Sequence, residues 1–104
     1  MARFDVFQTA SPTDAPRELL GQVEIDEHGQ LKLLRSAPEA DVALNRAIAD
    51  LNGRAGLTMK LPPKPGQGKF AIVKKLVSRD DPRFFEAIED NLDRWHNMAL
   101  SPAD

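Results

Sequence analysis

VEIDEHGQLKL, residues 23 to 33, constrains the fold more than any other stretch of this chain. Val23 and Ile25 alternate with Glu24 and Asp26, and Leu31 and Leu33 alternate across Lys32. A period of two with one apolar side is the mark of a half-buried strand. The two runs are separated by Glu27-His28-Gly29, a three-residue loop that closes a bulged hairpin when its glycine is left-handed. That register sets Ile25 opposite Leu31, Glu24 opposite Lys32 and Val23 opposite Leu33. Apolar pairs then share one face and an opposite-charge pair lies on the other, as cross-strand pairing favours. Strands that arrive as hairpins make an antiparallel sheet, and its apolar face must be covered by another layer.

The rest of the chain supplies that layer. RFDVFQ (3–8) alternates as a first strand, and TASPTDAPR reads as a loop. SAPE at 36–39 forms a capping box, which predicts a helix over about 37–52. Its stripe is Leu44, Ile48 and Leu51, widened by Val42 and Ala47, and Asn52-Gly53 ends it, with glycine suited to a left-handed turn. LTMKL (57–61) is a strand stopped by Pro62, and FAIVKKLV (70–77) is another by its β-branched content. Lys74 and Lys75 point to opposite faces of any regular strand, which leaves the register of this second hairpin open. A second helix is predicted over about 82–98, with Asp81 as cap, Pro82 in its first turn and Phe85, Ile88, Leu92 and Trp95 as its stripe. Residues 99–104 are expected to fray.

The predicted fold is α+β: a two-layer sandwich with an antiparallel sheet of four to five strands and two helices on one face, in the order β-ββ-α-ββ-α. The 104 residues suit one globular domain, 1–104. Its predicted core is Phe4, Val6, Val23, Ile25, Leu31, Leu33, Leu44, Ile48, Leu51, Met59, Phe70, Ile72, Leu76, Phe85, Ile88, Leu92 and Trp95.

Charge is the unusual feature. From Leu51 to Arg79 there is no acid but there are seven bases, whereas the remainder holds seven bases against sixteen acids, a net −9. This asymmetry points to an anionic partner for the basic segment. The expected binding residues are Lys60, Lys64, Lys69, Lys74, Lys75 and Arg79. An acidic protein and a nucleic acid both fit. So does self-association with the Glu86/Asp90/Asp93 face of a second copy, and so does a sheet edge that lysines merely protect. Phe70 is the segment's only aromatic and tyrosine is absent, which leaves little for base stacking.

Catalytic chemistry finds few carriers. Gly66-Gln67-Gly68-Lys69 lacks the hydroxyl and the following helix of a phosphate-binding P-loop, and the third glycine of a dinucleotide fingerprint. Pro62-Pro63-Lys64-Pro65 reads as a stiff approach to a turn before it reads as a polyproline ligand. Cysteine is absent, so thiol nucleophiles and cysteine-held metals are excluded. His28 in a turn and His96 near a helix end read as surface residues, with no metal-ligand spacing. Ser11, Ser36 and Ser78 form no nucleophile elbow. The carboxylate pairs read as helix starts and solvated faces. The expectation is a non-enzymatic accessory or regulatory module, without cofactor or metal, binding another protein through its basic hairpin. The lack of cysteine, of a leader-like N-terminus and of an apolar run near ~20 residues suits a cytoplasmic location away from membranes.

Overall fold

The computed structural model describes residues 2–9, 18–61, 66 and 73–103. Four strands, β1 (Ala2–Gln8), β2 (Leu19–Ile25), β3 (Leu31–Ser36) and β6 (Met98–Pro102), form an antiparallel sheet in the order β3-β2-β1-β6. Two more, β4 (Gly56–Leu61) and β5 (Val73–Ser78), form a separate antiparallel pair. The helices are α1 (Asp41–Asn52) and α2 (Phe84–His96). The class is α+β, with helices covering one sheet face: Val6, Val23, Leu31 and Met98 meet Leu44, Ala47 and Leu92.

The first hairpin has the predicted register, with Ile25 opposite Leu31, Glu24 opposite Lys32 and Val23 opposite Leu33. Its turn has a local cause. Gly29 has φ 75°, and the Asp26 carboxylate accepts the amides of His28 (2.8 Å) and Gln30 (3.0 Å). Those bonds, that of Gln30 foremost, hold the Asp26 carboxyl below its ordinary range. Beyond Val23 the register shifts, and Leu34 takes no partner between Leu33 and Arg35.

Four local expectations are corrected. Ser36 ends β3 and donates to Asp41 instead of capping a helix, and a 3₁₀ turn at Pro38–Ala40 leads into α1. Proline at its start suits such a turn. Gly53 does follow α1, but with a right-handed φ of −80°. The C-terminal segment is ordered by strand pairing: Asn97 (φ 54°) reverses the chain after α2, and Met98–Pro102 pairs along β1. That strand completes the main sheet in place of the second hairpin. Finally, Leu76 and Trp95 lie outside the core, 73% and 65% exposed. Trp95 is in line with the α2 stripe of Phe84, Ala87, Ile88, Asn91 and Leu92, so the packed surface ends one turn before it. Of the other predicted core residues, Leu33, Ile48 and Phe85 are half-buried at its margin, and Phe70 and Ile72 lie outside the described residues. Leu57, Val77, Phe84 and Met98 complete the interior.

Helix side chains close two strand edges. Asn52, at the end of α1, accepts the Leu31 amide (2.9 Å) and donates to the Leu31 carbonyl (2.8 Å), as a neighbouring strand would. The second case is on β4.

Candidate functional site

The β4–β5 hairpin carries the basic residues, and its register decides which of them share a surface. Leu57 pairs with Val77, Met59 with Lys75, and Leu61 with Val73; these side chains take one face. Leu57, Met59 and Val77 are buried there. On the opposite face Thr58 pairs with Leu76 and Lys60 with Lys74. Lys60, Lys74 and Leu76 are all exposed. Lys75 is also exposed but belongs to the inner face. The structure therefore brings together Lys60 and Lys74, with Leu76 beside them. Lys64 and Lys69 lie outside the described residues.

Helix α2 seals the β4 edge. Asn91 Nδ2 and an Arg94 Nη each donate to the Thr58 carbonyl at 2.8 Å, and the Lys60 amide donates to Asp90 at 3.4 Å. Asn91 also donates to Ala87 O, which explains a polar side chain only 4% exposed in the middle of the core. Arg94 and Asp90 form an i,i+4 ion pair at 2.6 Å. Asp90 is thereby occupied, which removes it from the acidic α2 face expected to receive a second copy. Glu86 and Asp93 remain exposed.

Arg79 is held in structural bonds and does not project with the lysines. Its guanidinium donates to Leu51 O (2.7 Å) and Arg54 O (2.7 and 3.0 Å), with longer bonds to Asn52, Gly29 and His28 carbonyls. It also lies 5.1 Å from the Phe84 ring centroid. One side chain thus ties the end of α1, the first hairpin's turn and the start of α2 together. A cation suits the carbonyl end of α1, where the helix dipole is negative. Arg54 is likewise committed, to Asp50 at 2.9 Å. No sequence motif marks a cluster of carbonyls, so Arg79 reads from sequence as one more free base.

His96 also differs from expectation. It is largely covered, and its Nε2 lies 2.9 Å from Asp50 on α1. The hydrogen bond with His96, then Arg54, holds the Asp50 carboxyl below its ordinary range. This trio fastens α2 to α1. His28, by contrast, is exposed in the turn, as predicted.

A cleft of about 450 Å³ is floored by Phe4, Phe85 and Ile88 and rimmed by Asp26, Asp80 and Asp81. Three of its polar groups have structural partners: Asp26 holds its turn, Asp81 accepts the Arg83 amide at 2.8 Å, and Arg79 is tied to carbonyls, while Asp80 is exposed. Among the described residues no three acidic or histidine side chains are placed to share a metal ion. Nor is any described helix long and apolar enough to cross a membrane. Comparisons with protein families, curated proteins and solved structures gave no match.

Proposed function

We propose that this protein is a small cytoplasmic accessory or regulatory module, without catalysis of its own, that binds an acidic partner protein through the β4–β5 hairpin. The observation that carries this reading is the pair Lys60–Lys74 on the exposed face, next to Leu76. Like charges directly opposite one another weaken a hairpin, where an opposite-charge pair would add ~0.2–1 kcal/mol. Among the described residues no carboxylate forms an ion pair with Lys60, Lys74 or Lys75. Carboxylates arriving from a partner relieve that repulsion, and Leu76 offers the partner an apolar contact beside them.

A nucleic acid is the rival partner for the same lysines. Leucine beside them, and no stacking aromatic among the described residues of the hairpin, favours protein. The test is an NMR titration of the isotope-labelled protein with a Glu/Val-rich peptide and, separately, with a DNA duplex. The peptide should shift the resonances of Lys60, Lys74 and Leu76, and Lys60→Glu/Lys74→Glu should abolish the shifts. Tighter binding of the duplex, falling with a log–log salt slope of about −0.9 per phosphate contacted, would replace the protein reading with the nucleic-acid one.

A further inference from the structure

We infer that the partner docks as an added β-strand along the outer edge of β5, which pairs with no other strand but β4 among the described residues, as an extended acidic segment with an apolar residue opposite Leu76 and two acids opposite Lys75 and Lys74. This rests on the proposed reading of the hairpin and adds how the partner is held. The warrant is the parity of backbone groups. In an antiparallel strand, alternate residues direct both N–H and C=O to the same side. On β4 the Thr58 carbonyl and the Lys60 amide are bonded to α2, so these residues face away from β5. Leu57, Met59 and Leu61 then make the ladder bonds, with Val77, Lys75 and Val73. Their neighbours on β5, Lys74 and Leu76, must therefore direct their amides and carbonyls away from β4. The Ser78 carbonyl belongs to the same outward set and does point out of the ladder, accepting the Asp81 amide at 3.0 Å.

Neither Lys74 nor Leu76 has a backbone hydrogen-bond partner outside the hairpin among the described residues. The contrast with the closed edges is direct. Asn52 covers β3 at Leu31, and Asn91, Arg94 and Asp90 cover β4. A two-stranded sheet is marginal alone and gains from a third strand, and strand addition at such an edge is a general mode of peptide capture. Charge selects the occupant. Lys74 on the outer face and Lys75 on the inner face both want an acid across the new ladder, and exposed Leu76 wants an apolar residue. An antiparallel partner meets these needs as apolar-acid-acid. A second copy brings its own lysines to the edge and is repelled.

Proline at position 76 separates strand addition from surface attraction. Leu76→Pro deletes an amide that points out of the hairpin, so the ladder keeps its own bonds and edge-strand proline is tolerated. Leu76→Thr removes the apolar side chain and keeps the amide. The probe is the capped peptide Thr-Thr-Val-Glu-Glu-Thr-Val. Leu76→Pro should weaken its binding about tenfold or more, and Leu76→Thr should weaken it less. In the wild type the probe should slow hydrogen exchange at the Lys74 and Leu76 amides. If Leu76→Pro fails to fold, the exchange measurement alone decides. Wild-type affinity in Leu76→Pro, or no added protection at those amides, overturns strand addition. Loss of binding in Lys60→Glu/Lys74→Glu alongside that result leaves the basic surface standing; no loss in either variant overturns both. Dimerisation of the free protein with the same two amides protected would give the edge to a second copy and also overturn the proposal.

Discussion

Arg79→Ala should be the most damaging single change at a residue that the sequence presents as a surface base. Its short bonds reach two carbonyls, Leu51 O and Arg54 O, and longer ones reach three more. A hydrogen bond to a charged group contributes about 1.5–3 kcal/mol net, so the two short attachments alone give ~3–6 kcal/mol. Freeing the long side chain returns about 2 kcal/mol of rotamer entropy. Loss of the helix-end cation and of the contact with Phe84 adds roughly 1 kcal/mol. The balance is a destabilisation of about 3 kcal/mol, a large part of the ~5–15 kcal/mol that holds a typical domain together. Arg79→Lys keeps the charge but cannot span the carbonyls, and should recover roughly 1 kcal/mol of this. Urea denaturation followed by circular dichroism reads the difference, and Tm should fall by about 12–24 °C in Arg79→Ala. Lys74→Ala, at an exposed side chain with no bond among the described residues, should stay within ~0.5 kcal/mol of wild type. A cost below about 1 kcal/mol for Arg79→Ala, or equal costs at positions 79 and 74, would refute the clasp.

Three further outcomes follow from the same contacts. Gly29→Ala should destabilise by at least about 2 kcal/mol in urea, because φ is +75° and the new Cβ would sit 2.5 Å from the buried Phe84 ring. Asn52→Ala should cost ~1–3 kcal/mol and open the Leu31 amide to hydrogen exchange, since both of its bonds to β3 are lost. The Asp50 carboxyl, lowered first by His96 and then by Arg54, supports the fold above its unfolded value of about 3.9 and loses that support as pH falls through its folded value. Asp50→Asn should therefore be less stable than wild type at neutral pH and should lose less stability on acidification, measured as urea midpoints across the acid range.

What could be read from the sequence was local. The first hairpin was legible to the residue because its alternation and its left-handed Gly29 act within a few positions of each other. Both helices were legible from their stripes, and their ends less so, because the 3₁₀ turn before α1 depends on how β3 delivers the chain. The last strand, β6, was hidden: MALSP is short, ends in proline and finds its partner at the opposite end of the chain. The second hairpin's register could not be fixed from Lys74-Lys75. Packing settles it by burying Val77 with Leu57, which sends Leu76 outward and leaves Lys75 opposite Met59.

The basic segment was legible as a charge but not as a surface. Two of its seven bases, Arg54 and Arg79, are held in structural bonds, three lysines are exposed on the hairpin, and Lys64 and Lys69 lie outside the described residues. Asn91 and the Asp90–Arg94 pair escaped notice for a related reason. Their roles depend on where α2 crosses β4, which no spacing along the chain reveals.

The central claim, that the hairpin's exposed lysines hold an acidic protein, is tested most directly by affinity capture from the native host. Wild type is compared with Lys60→Glu/Lys74→Glu/Lys75→Glu, each before and after nuclease treatment. All three positions are exposed, so the variant should fold with a urea midpoint close to wild type. The account predicts a protein retained by wild type after nuclease, lost with the variant, and carrying an acidic segment whose synthetic peptide reproduces the binding. Capture that vanishes with nuclease, or the same capture by the charge-reversed protein, would contradict it.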